Sequence, residues 1–348
     1  MEKNSKVEEI GKCLNKKLKR KEFNNIKNEE NYPKKIIFEK DLISDCNYRW
    51  DSNSLLIFTS INNIPYIIYS DKEQSIIAYN LINNQKQTEI KKAHKEEIDI
   101  LKHCFDKKEK RDLIISYSKF YHYIKLWNFK NWELLFIYEG EKISHELLLY
   151  NNFDNKFFIL TSSLFNDEDI NVYNIKGIEN KKLNSSKGNI KSIDEYYDND
   201  SSKNFVIVSY YRYIASFDFN LNKIYQTYNN LRDNDIYSLI VNKNENKTKL
   251  IISSSIGNII IWDFHSGILE NNIFVNKRIL STICPFNKNY FFTGSHTIKL
   301  VNINNKKIEK LSERIGLIAS IKKYIHPHFG ECLITKSDWK IKLWRIEK

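Results

Sequence analysis

From about residue 32 to the end of the chain, short apolar runs alternate with clusters of Asn, Asp, Lys and Ser. The clearest unit is Lys249 to Phe264, KLIISSSIGNIIIWDF. An apolar run (Leu250, Ile251, Ile252) meets three serines, a Gly257-Asn258 corner reverses the chain, and a second apolar run ends in Trp262-Asp263. β-branched residues, short length and small turn residues predict strand, tight turn, strand. Weaker copies recur along most of the chain.

Aligning the residue after the bulky end of each such second strand gives a register. The endings are AYN at Asn80, LWN at Asn128, VYN at Asn174, SFD at Asp218, IWD at Asp263, LVN at Asn302 and LWR at Arg345. Their spacings are 48, 46, 44, 45, 39 and 43 residues, a mean of about 44. A period in this range with four short strands per unit predicts propeller blades. One unit, for instance, parses as Glu97 to Phe105, Leu113 to Tyr117, Tyr123 to Asn128 and Leu134 to Tyr138. The last unit stops after its third strand, and the apolar run Lys35 to Phe38 has no unit of its own. Because an unpaired strand edge in a ring is a liability, that N-terminal run is expected to close it. Gly (9) and Pro (4) are scarce, so Asn is expected to make the turns, at pairs such as Asn62-Asn63, Asn83-Asn84 and Asn304-Asn305. Asn tolerates the left-handed backbone and bonds its own chain.

These units resemble the WD-repeat family, whose signature pairs Trp-Asp with a Gly-His about 30 residues earlier. Trp262-Asp263 matches the first pair; Trp127-Asn128 and Trp344-Arg345 keep the Trp, and Tyr79, Tyr173 and Phe217 keep an aromatic ring. Ala93-His94 is the relative of Gly-His. The resemblance covers about 33 to 348 and implies an all-β, seven-bladed WD-repeat β-propeller with four antiparallel strands per blade. It also implies a His, Ser/Thr, Asp, Trp hydrogen-bond tetrad, which no blade has in full. One blade offers His94, Ser116 or Ser118, and Trp127; the last offers Thr335, Asp338 and Trp344.

Residues 1–31 are a basic N-terminal extension, read as a marginal helix or as disordered, ahead of the propeller at 32–348. Ser5 to Glu8 has capping-box form, and Val7, Ile10, Leu14 and Leu18 make a narrow stripe at helical spacing. Lys16, Lys17, Lys19, Arg20 and Lys21 read either as a solvated helix face or as an import or partner signal.

Composition narrows the function. The chain has 348 residues, a formal charge of +12, and no run of about 20 apolar residues to span a membrane. Five widely spaced cysteines without a C-x-x-C pair suit reduced thiols. With the charged start MEKNSKVEEI, they place the chain in the cytoplasm, the nucleus being the alternative, and leave the sequons at Asn184, Asn199 and Asn246 unglycosylated. Lys is spread over strands and loops alike, which argues against a dedicated nucleic-acid footprint.

No catalytic constellation stands out, so no enzyme activity, cofactor, metal or small-molecule substrate is expected. His145-Glu146 lacks the second His of a zinc helix, since Leu149 stands there. His326-Pro327-His328 with Glu331 and Cys332 reads as a loop rather than a metal site, and His103-Cys104 as strand packing. Binding has more support. In the family, the turns between second and third strands lie on one rim around the channel, where partners often dock. Here those turns carry Tyr121, His122, Phe165, Tyr211, Arg212 and Trp339, with Tyr210 and Tyr213 as strand-packing residues in the competing reading. Aromatics and Arg are the types that carry interface energy. The expectation is a non-catalytic scaffold or adaptor for protein partners. The alternative is a nucleic-acid or ribonucleoprotein factor using the basic tail and Lys-rich loops.

Overall fold

The computed structural model describes residues 32–46, 54–118, 123–139, 143–151, 156–163, 169–174, 179–184, 190–210, 213–229, 231, 236–243, 247–254 and 256–348. The N-terminal extension 1–31 lies outside them. Among the described residues there is no helix, and 28 strands form seven sheets of four.

After β1 (Lys35–Ile43), blade 1 holds β2 (Leu55–Thr59), β3 (Pro65–Ser70), β4 (Ile76–Asn80) and β5 (Gln85–Ile90). Blade 2 holds β6 (Ile100–Asp106), β7 (Arg111–Ser118), β8 (Tyr123–Asn128) and β9 (Glu133–Glu139). Blade 3 holds β10 (Ile143–Asn151), β11 (Lys156–Ser163), β12 (Asp169–Asn174) and β13 (Glu179–Asn184). Blade 4 holds β14 (Ile190–Asp198), β15 (Lys203–Tyr210), β16 (Ile214–Asp218) and β17 (Lys223–Tyr228). Blade 5 holds β18 (Ile236–Lys243), β19 (Thr248–Ser254), β20 (Asn258–Asp263) and β21 (Leu269–Phe274). Blade 6 holds β22 (Thr282–Pro285), β23 (Tyr290–Gly294), β24 (Ile298–Asn302) and β25 (Ile308–Lys310). Blade 7 holds β26 (Ile318–His326), β27 (Gly330–Ser337) and β28 (Lys340–Glu347), with β1 as its fourth strand. First strands touch first strands in the order β2, β6, β10, β14, β18, β22, β26 and back to β2, so the sheets close into a ring.

The ring is shut where the sequence reading placed the join. β1 pairs antiparallel with β28 from Lys35 opposite Glu347 to Ile43 opposite Ile341. Tyr32 adds a clasp by stacking on Tyr290 of blade 6, ring centroids 5.6 Å apart.

The marker residue that revealed the period has a local job. The side-chain oxygen of Asn80, Asn128, Asp218, Asp263 or Asn302 accepts an amide N–H two or three residues on, at 2.8–3.1 Å. Such an Asx turn starts the reversal into the fourth strand. The next residue is apolar (Leu81, Phe219, Phe264 and Ile303 are fully buried), and its N–H returns to a carbonyl just before or within the first two residues of its blade's second strand. The marker therefore fixes a turn and a core plug together. Between blades the faces pack into seven clusters.

Because strands alternate in direction, turns after second strands and links between blades share one rim, called upper here. Turns after first and third strands share the lower rim.

Candidate binding surfaces

On the upper rim, β27 turns into β28 through two residues, Asp338 and Trp339, both left-handed at φ 48° and 65°. This is a primed hairpin turn, whose twist suits the strands but whose positive φ favours Asn or Gly. A Trp there is costly, on the order of 1–2 kcal/mol. The geometry holds it in place: the Cys46 N–H donates to the Trp339 carbonyl at 3.0 Å. The Lys72 ammonium sits 4.9 Å from the ring centroid and pairs with Asp45 at 2.6 Å. Even so, Trp339 is 43% exposed.

Next to it the rim is basic. His296 lies in the turn after β23, and burial, then Arg314 and Arg278, push its pKa down, with Asp338 acting the other way. Gly316 (φ 89°) packs so closely on the Asp338 carboxylate that a Cβ would overlap it. The Asp338 carboxylate, next to Trp339 in the chain, thus acts on His296 together with Arg278 and Arg314.

Of the other predicted site residues, Tyr121, His122, Phe165, Tyr211 and Arg212 lie outside the described residues. Tyr210 and Tyr213 follow the packing reading. Tyr210 is buried, its ring stacks on Tyr213 at 4.5 Å, and both join the core between blades 3 and 4.

Just inside the upper rim a charged cluster closes the seam between blades 7, 1 and 2. Lys336 is fully buried, and its ammonium donates to Ser54 Oγ at 2.5 Å. Burial lowers its pKa to about 8, against the opposing pull of Cys46, Glu97 and Asp99. Deeper down, Lys102 on β6 lies 3.8 Å from Asp194 on β14. Those strands belong to blades 2 and 4, so the contact passes in front of blade 3, along the channel wall. Lys322 of blade 7 also feels Asp194, while burial pushes its pKa down. Lost hydration, with Asp194 beside it and Lys102 acting the other way, raises the Glu195 carboxyl to about 7. The charged channel was not foreseen from sequence.

Residues weighed for chemistry are held in structural roles. His103 lies 2.8 Å from Asp112 and stacks on Phe58 at 4.1 Å. His326 Nδ1 accepts the N–H groups of His328 and Phe329, while Glu331 pairs with Lys323 and Lys348. Burial pushes the Cys46, Cys284 and Cys332 thiols up to about 11, away from thiolate reactivity. The partial tetrad assembles: His94 Nε2 lies 2.8 Å from Ser116 Oγ, which accepts the Trp127 indole N–H at 2.8 Å. In blade 7 the Trp344 indole donates to Thr335 Oγ1 at 2.9 Å.

No family model and no curated protein matches this sequence. Among solved structures the chain is similar to Chaetomium thermophilum Raptor, with a TM-score of 0.63 and 15% identity. The alignment covers 91% of this chain and 29% of that one, so this chain spans less than a third of its length. Because 1449 chains of solved structures match, the likeness identifies a widely used β-propeller fold rather than a function.

Proposed function

We propose that this protein is a non-catalytic scaffold that holds protein partners on the upper rim, around the mouth of the channel. The observation that carries the reading is Trp339. A large ring kept half-exposed, on a backbone conformation that disfavours it, is a feature that folding alone does not call for. Tyr121, His122, Phe165, Tyr211 and Arg212, which fall in sequence between the second and third strands of blades 2, 3 and 4, are proposed as further members of the same surface. The fold suits the role, since a closed ring presents seven turns on one face without exposing long strand edges.

The test compares the full chain as bait with two variants, Trp339→Gly and the quadruple alanine variant of Tyr121, Tyr211, Arg212 and Trp339. Partners are captured from the native cell and identified by mass spectrometry. Gly relieves the left-handed strain while removing the ring, so relief offsets part of the lost packing and the fold is retained. The expected result is native circular dichroism with loss of the captured proteins. Unchanged capture by both variants would sink the proposal. Capture that collapses on ribonuclease treatment or steeply with salt would favour the nucleic-acid reading, since counterion release drives such binding.

A further inference from the structure

A cleft of about 310 Å³ opens on the lower rim between blades 1 and 2, on the face opposite Trp339. Three turns form it: that after β2, carrying Ile61; that after β6, carrying Lys110; and that after β8, carrying Phe129 to Trp132. Its size is at the lower end of the range for ligand sites.

The interior is aromatic. The ring of Phe129 meets Tyr66 edge-on at 4.9 Å and Trp132 edge-on at 5.2 Å. Ile61, half-exposed, makes an apolar lip. The one carboxylate in the lining, Asp112, is engaged: it accepts the Ile61 N–H at 2.8 Å and lies 2.8 Å from His103. At the mouth, Lys110 and Lys130 are exposed and have no carboxylate partner among the described residues. The cleft therefore offers rings inside and uncommitted positive charge outside.

Trp132 supplies a second, independent observation. Its φ is 56°, left-handed, and the equivalent turn position in blades 1, 4, 5 and 6 holds Asn84, Asn222, Gly267 and Lys306, all with positive φ. Each is the fourth residue after the marker Asn or Asp. Blade 2 thus places a bulky ring where these four blades keep small or flexible residues. A bulky residue at positive φ is a genuine outlier and a pointer to function.

We propose that this cleft is a second docking site, which takes a short acidic peptide segment with one apolar side chain as anchor. The anchor enters between Ile61 and Trp132, and flanking carboxylates meet Lys110 and Lys130. The apolar lip favours an aliphatic or aromatic side chain over a nucleotide, whose phosphate and sugar gain nothing from Ile61. The proposal shares no residue with the upper-rim surface and stands or falls separately from it.

The test uses the full chain and a fluorescein-labelled pool of short peptides rich in Glu and Asp with a central Leu, Ile or Phe, read by fluorescence anisotropy. Trp132→Asn installs the residue that blades 1 and 4 use there, and is expected to weaken binding by about 30-fold, the scale of losing an aromatic anchor. The double reversal Lys110→Glu with Lys130→Glu, at exposed positions, is expected to weaken it by about tenfold at low salt. Trp339→Gly should leave it unchanged. No binding of the acidic pool overturns the proposal, as does equal binding of a pool with Lys in place of the acids. So does tighter binding of a labelled oligouridine, which would make the cleft a nucleic-acid site. Should Trp132→Asn fail to fold, unchanged binding by the charge-reversed variant alone overturns it.

Discussion

Ring closure depends on two side chains of β1, and their contribution can be worked out. Ile36 is 5% exposed and shares a core with Trp344 and Leu333 of blade 7 and Phe292 of blade 6. Ile43 is 9% exposed and joins a different core, with Ile341 and Leu343 of blade 7 and Leu55 of blade 1. Truncating a buried Ile to Ala costs about 2–5 kcal/mol. Because the two lie in separate clusters, their costs should add, giving about 4–10 kcal/mol for the double variant. That is comparable to the whole stability of a typical domain, about 5–15 kcal/mol. Ile36→Ala and Ile43→Ala should therefore each lower the urea midpoint clearly, and the double variant should be open or unfolded. Asp41→Ala is the control. It breaks a pair with Lys340 at 2.6 Å whose partners are 33% and 42% exposed, and exposed pairs contribute about 0–1 kcal/mol. Urea titrations followed by Trp fluorescence give the three values. Losses under about 0.5 kcal/mol for both Ile variants, or a loss for Asp41→Ala as large as theirs, would refute the closure argument.

Two further outcomes are expected. Burial, helped by Lys125, lowers the His94 pKa to about 3, whereas the unfolded chain takes up the proton near 6.5. The unfolded state thus binds more protons in acid, and His94 costs stability as pH falls through 6.5, by up to about 2 kcal/mol between pH 6.5 and 5. The stability difference between wild type and His94→Gln should narrow over that interval, and parallel pH profiles would contradict the assignment. At Gly257 (φ 78°) a Cβ would sit 1.8 Å from the Asn276 carbonyl, whereas at Gly330 (φ 69°) nothing lies within 4 Å. Gly330→Ala should cost only the backbone strain of about 1 kcal/mol, and Gly257→Ala distinctly more; equal melting curves for the two would refute this.

The fold was legible because five units repeat one device, an Asn or Asp that turns the chain and an apolar plug behind it. That signal recurs at near-constant spacing and survives loss of the Trp. The parse of blade 2 shows the limit: Tyr123 to Asn128 matches β8 end for end, while β6 begins three residues after the predicted Glu97. Asn as the replacement for Gly was half the story. Asn63 and Asn84 are left-handed, but Asn304 and Asn305 are not, and Lys306 takes that position. The sites were harder to read. Lys336 becomes a seam residue only when blades 7, 1 and 2 are brought together around it. The lower cleft combines turns from two blades, so no local motif announces it. One trace was present: aligning the units on their marker shows Trp132 where blades 1, 4, 5 and 6 have Asn84, Asn222, Gly267 and Lys306.

The central claim is that partners dock on the upper rim at Trp339. The most direct measurement is a cryo-electron microscopy structure of the protein with its captured partner. Partner density is expected against Trp339 and against Tyr121, Tyr211 and Arg212. A partner seated on the outer strands or only on the lower rim, with Trp339 left in solvent, would contradict it.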